Sequence, residues 1–181
     1  MAANPAIQNL PLAHSYNLAR LGNAGERVAF AAGDAERAQI ARWSGIVSVE
    51  MFEAEVEIAK LAPNRFGLSF HLTADVTQAC VVTLEPVRSR MQHSFARELH
   101  FSAPARHRPP ASDTAPELVL DSQEEGPEAI DSLHYDLAGP VLEEFVLSLE
   151  PYPRCPGVEF SSQTDTREQP DNPFAVLKTL K

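Results

Sequence analysis

An α+β fold, an antiparallel β-sheet with helices packed on one face, is predicted by three features of the sequence. Two adjacent runs, "MFEAEVEIAK" and "RFGLSFHLTADV", alternate apolar and polar residues, as strands with one dry and one wet face do. A later run, "YDLAGPVLEEFVLSLEP", repeats Leu137, Val141, Phe145 and Leu149 every four residues, a helical stripe suited to cover a sheet. The chain has 181 residues and is 44% apolar, enough to bury such a core.

Taken in order, the elements begin with a short extended stretch around His14 to Leu18. In "GDAERAQIARWSGI", Asp34 offers an N-cap to good helix formers, predicting a helix over residues 35–43 with an apolar face through Ala38, Ile40, Ala41 and Trp43. The hairpin follows. Phe52, Ala54, Val56 and Ile58 lie opposite Glu53, Glu55 and Glu57, and Phe66, Leu68, Phe70, Leu72, Ala74 and Val76 form the dry row of the second strand, with "APN" as the turn. Burying Phe66, Leu68, Phe70 and Leu72 contributes roughly 6–12 kcal/mol before chain entropy, as an upper bound. Such a face has to be covered.

Two more strands are expected at residues 79–84 and 91–101, the latter with Met91, Phe95, Leu99 and Phe101 in alternation. An antiparallel meander is the simplest topology. Periodicity then stops: residues 103–130 read as an acidic, proline-rich flexible loop, with a short edge strand at residues 118–120. Asp136 is expected to cap the second helix, Gly139 and Pro140 to weaken only its first turn, and Pro151 to stop it. Residues 1–160 are thus read as one α+β domain, and residues 161–181 as a linker plus a tethered helix. In "DNPFAVLKTLK", Asn172 serves as N-cap and Pro173 suits the first turn. Phe174, Leu177 and Leu180 share a face, and Lys178 and Lys181 sit near the C-terminus. So short a helix is marginal alone and has to dock.

Charge is segregated along the chain. The formal net charge is −10, which argues against a surface basic all round. Yet residues 81–108 hold Arg88, Arg90, Arg97, Arg106 and Arg108 against only Glu85 and Glu98, whereas residues 113–150 hold eleven acids and no Lys or Arg. The arginines read either as a balance to the acidic helix and loop or as an edge facing RNA. The acidic block reads as a solubilising loop or as a phosphate mimic that competes for a basic partner. Tyr152 and Arg154, just beyond the second helix, complete the set of candidate RNA- or partner-contacting residues.

Catalytic and metal chemistry find little support. The eight glycines are scattered, with no phosphate-cradling motif. His93 and His100, seven residues apart, fall on opposite strand faces, which disfavours a shared metal. Cys80 in "QACVVTL" and the distant Cys155 suggest neither a disulfide framework nor a complete zinc shell. Cys80 reads as a small buried hydrophobe rather than a nucleophile. Glu143 and Glu144 sit on the exposed side of their helix as ordinary solvated acids. No cofactor is expected, and no apolar stretch is long enough to span a bilayer. The expected location is the cytoplasm.

Three stretches in order, "VTQACVVTLEPV", "YDLAGPVLEEFVLSLEPYPRCPG" and "NPFAVLKTLK", resemble the bacterial YceD family of large ribosomal RNA subunit accumulation proteins. The likeness runs from about Ser44 to the end and is most specific in the last stretch. It implies a cytoplasmic, non-enzymatic factor for 23S ribosomal RNA accumulation, with large-subunit RNA precursor or ribosomal proteins as partners and no membrane or small-molecule substrate. Many members carry a C-x-x-C where this chain has Cys80-Val81-Val82-Thr83, so a metal site is not carried over. The tail residues carried over are Asn172, Pro173, Phe174, Ala175, Val176 and Leu177, a docking cassette that reaches either its own core or a partner.

Overall fold

A computed structural model describes residues 10–102 and 126–158. The elements run β1 (Ser15–Asn17), a 3-10 turn (Leu18–Arg20), β2 (Glu26–Ala31), α1 (Asp34–Ser44), β3 (Ser48–Ala62), β4 (Arg65–Ala79), β5 (Pro86–Phe101), β6 (Glu128–Ile130), β7 (His134–Asp136) and α2 (Ala138–Ser148). The fold is α+β. Strands β2-β3-β4-β5-β6 form one sheet in that order, and β1 pairs separately with β7. The first four strands of this sheet pair antiparallel in chain order, β3, β4 and β5 as expected from the sequence, but β6 joins β5 in parallel, so the sheet is mixed.

Register explains the core. Val56 lies opposite Phe70 and Ala54 opposite Leu72 on β3 and β4, while Phe70 lies opposite Phe95 and Phe66 opposite Leu99 on β4 and β5. The dry rows therefore coincide, and from Phe52 to Ile58 and Phe66 to Val76 each of their residues is buried. Leu137, Val141, Leu142 and Phe145 of α2 are fully buried in the same cluster, with the Phe145 ring edge-on to Phe52 at 5.3 Å. Such aromatic pairs add roughly 0.5–1.5 kcal/mol beyond area burial.

Several local expectations are corrected. Residues 79–84 do not form a separate strand: β4 runs through Ala79, and the chain then reverses, with the Cys80 N–H on Glu85 O at 2.8 Å and the Leu84 N–H on Cys80 O at 2.9 Å. Val81 and Val82 have strand propensity, but the reversal between two long strands overrides it. The next strand starts at Pro86 rather than Met91. Residues 128–130 of the expected loop are β6, and β2 was not anticipated. The first helix is capped by Gly33 rather than Asp34, its N–H held by Glu36 Oε2 at 2.7 Å, and it ends at left-handed Gly45. Its buried residues are Ile40 and Ala41; Ala38 and Trp43 are exposed. At about 100° per residue, Trp43 lies some 200° around the helix from Ala41.

The second helix closely follows the sequence reading. Asp136 Oδ1 accepts the Ala138 N–H at 3.1 Å and also the His14 N–H at 2.7 Å, tying β1 to the helix start. Leu137 occupies the cap position itself, and the helix ends at Ser148, before Pro151. The expected strand at residues 118–120 and the linker and tail at 161–181 lie outside the described residues.

Candidate functional site

Alternation divides the basic stripe. On β5, Arg88 and Arg90 stand opposite Thr77 and Asp75 on the wet face, whereas Arg97 stands opposite Leu68 on the dry face. The three do not form one surface. Arg97 donates to Glu143 Oε2 of α2 at 2.6 Å and lies 3.6 Å from Glu128 Oε2 of β6. His93, on the same row, lies 2.9 Å from Glu144. Two helix acids read as solvated are thus cross-braces to β5. Burial alone would lower the Arg97 pKa, but its hydrogen bond and attraction to Glu143 outweigh this and hold it above the ordinary value. Tyr135 is pushed well up by burial and by neighbouring Glu128.

Arg90 is 3.6 Å from Asp75. Arg88 lies within the field of Glu50, whose carboxyl burial would raise but which hydrogen bonds from Ser48 and Thr77 hold below the ordinary value. The wet face is largely acidic at its centre. Glu53, Glu55 and Glu57 project from β3 opposite Thr73, His71 and Ser69, and Arg27 of β2 bridges Glu55 and Glu57. Small residues such as Gly67, Ser69 and Ala96 leave shallow hollows here; that bordered by Arg27, Glu57, Gly67, Ser69 and Glu98 measures about 650 Å³.

Tyr152 and Arg154 are exposed at the end of the sheet where β5 begins. Their segment crosses the β4–β5 turn: Gln78 Nε2 donates to Glu150 O, and the Val81 N–H to Pro153 O, both at 2.9 Å. They therefore share an end with Arg88 and Arg90, beside exposed Val81 and Leu84. Arg106, Arg108 and the tail residues Asn172, Pro173, Phe174, Val176 and Leu177 lie outside the described residues.

The two cysteines meet under this turn, which their separation in sequence does not reveal. Cys80 is fully buried, and its Sγ accepts the Cys155 N–H at 3.3 Å. Hydrogen bonds from the Thr83 side chain, then from the backbone of Thr83 and Cys155, draw its pKa down to about 6, against the opposing effect of burial. Thr83 Oγ1 lies 3.7 Å from Cys155 Sγ. Among the described residues no three His, Cys, Asp or Glu side chains are grouped to hold a metal. Cys80 has Thr83 and Cys155 as neighbours, with no histidine among its hydrogen-bond partners there. No helix of the described residues is long and apolar enough to cross a membrane.

The role of Glu128 went unread in the sequence. Strand alternation made Glu53, Glu55 and Glu57 visible as a wet face; nothing local marked Glu128 as the partner of Arg97. Neither the curated proteins nor the solved structures include a match to this chain. A family model does match: that of the large ribosomal RNA subunit accumulation protein YceD, over residues 68–181, from the middle of the sheet to the C-terminus.

Proposed function

The chain belongs to the YceD family of large ribosomal RNA subunit accumulation proteins, and from that membership we propose that it promotes the accumulation and processing of 23S ribosomal RNA without catalysis. It acts in the cytoplasm as a platform that contacts large-subunit precursor RNA or ribosomal proteins. The observation that carries the reading is the family match, which runs from within β4 through β5 and α2 to the terminal cassette. An open sheet with a solvated face suits contact with a macromolecule. The contacts to RNA are assigned to Arg88 and Arg90 on the wet face, with Tyr152 and Arg154 at the same end.

Deletion of the gene tests this directly. Large-subunit RNA should fall relative to small-subunit RNA, with precursor ends accumulating, and a Cys80→Ser chain should restore both. Unchanged levels and processing in the deletion strain would remove the proposal, and failure of Cys80→Ser to complement while folded would replace it with a catalytic one.

A second reading is favoured by the charge pattern. Arg97 and Arg90 are each answered by carboxylates of the same chain, while the wet row of Glu53, Glu55 and Glu57 stays net acidic even with Arg27 bridging Glu55 and Glu57. In this reading the protein is an acidic adaptor that shields a basic ribosomal protein and never touches RNA. Crosslinking in cells separates the two: RNA adducts on β5 support the first, and protein adducts alone, on the acidic row or residues 113–150, support the second.

A further inference from the structure

Among the described residues, the outer edge of β5 is open over most of its length. Pairing with β4 is unbroken from Pro86 to His100, but on the other side β6 covers only Leu99, His100 and Phe101. Among the described residues, no strand pairs with residues 86–98 on that side. The direction of the backbone groups follows from the strand's end. The Phe101 N–H points to the β4 side, reaching Asn64 O at 2.8 Å, and the Ser102 N–H points to the β6 side, reaching Ile130 O at 3.0 Å. Because successive residues point to opposite sides, the even-numbered residues from Arg88 to Glu98 present their N–H and C=O groups outward.

Such an edge is a template for another strand, and proteins that keep it solitary blunt it with proline, lysine, bulges or a very short strand. Residues 87–98 contain no proline, glycine or lysine, and their register with β4 has no bulge. The dry side of the edge is also unfinished. Met91 and Phe95 are only half-buried, whereas Ala74 and Phe70 opposite them are 0% and 2% exposed.

The edge is complementary to itself. Placed antiparallel about His93, two copies set Arg88 opposite Glu98 at both ends of the wet side, Gln92 opposite Ser94 between them, and Met91 opposite Phe95 twice on the dry side. Opposite charges and apolar pairs directly across a strand pair are both favourable. The Arg97–Glu143 and His93–Glu144 braces join β5 to α2 of the same chain and need not break. We propose that β5 pairs with β5 of a second copy, fusing two five-stranded sheets into one.

Analytical ultracentrifugation of the full chain is expected to show a dimer. Arg88→Glu and Glu98→Arg each place like charges at both ends of the seam, and each should weaken association about tenfold or more. An equimolar mixture of the two variants should restore it, because every charge then meets its opposite. Gln92→Pro removes an outward N–H but no bond to β4, and should give a monomer with an unchanged circular dichroism spectrum. A monomeric unaltered protein overturns the proposal, as does a dimer indifferent to Arg88→Glu and Gln92→Pro, or a mixture that associates no better than its components.

Discussion

At the scale of single residues, the structure separates groups that share a sequence neighbourhood. Cys80 has the sharpest consequence for solution behaviour. Its folded pKa lies near 6, below the ordinary thiol value of 9.0, so the folded state favours the thiolate. That stabilisation is fully present above the unfolded pKa and is lost as pH falls through the folded one. The melting temperature of the unaltered protein should therefore rise between pH 6 and pH 9 relative to Cys80→Ser. Parallel melting curves across that window would refute the assignment. Leu84 is a different case: it holds φ at 63° with 78% of its surface exposed. Left-handed backbone is costly for leucine and free for glycine. Leu84→Gly should stabilise the fold by about 0.5–1 kcal/mol, and chemical denaturation with an unchanged slope checks this.

At the scale of elements, the hairpin β3–β4 and the stripe of α2 were legible because their periods are long and clean: alternate residues on both strands, every fourth on the helix. The rest was hidden for physical reasons. β2 is six residues long, with only Val28 and Phe30 half-buried on its inner row, too short a pattern to stand out. β6 and β7 are three residues each and exist through pairing with distant strands. The β4–β5 turn carries valines that imitate a strand. Of the candidate site, the basic residues were visible, and alternation already sets Arg97 on the row of Met91, Phe95 and Leu99; that Arg88 and Arg90 lie on the same strand was hidden, because β5 starts at Pro86 rather than Met91. Two tests belong here. Phe145→Ala should cost about 3–5 kcal/mol by emptying the contact with Phe52, read by urea unfolding. A double-mutant cycle on Arg97→Ala and Glu143→Ala should give a coupling of about 0.5–1 kcal/mol that shrinks with added salt. A vanishing coupling would mean that the brace is ornamental to α2.

At the scale of the whole molecule, the distribution of charge governs what the platform can hold. If precursor RNA is held at the end of the sheet, binding weakens steeply with salt, since phosphate contacts release counterions. Replacing Arg88 and Arg90 with alanine should reduce the slope of log affinity against log salt by about 1.5–2, while Arg97→Ala leaves it unchanged, because that guanidinium faces the dry side. Filter binding across a salt series decides it. One further consequence lies in β1, whose mate β7 is far away: His14 and Asp136 are 122 residues apart. A growing chain emerging from the ribosome exposes β1 first and can dock it only when Asp136 has cleared the exit tunnel. Until then α2 is still unmade, and the greasy side of the hairpin stands bare to solvent and to chaperones while the chain from Cys80 to Ser148 is added.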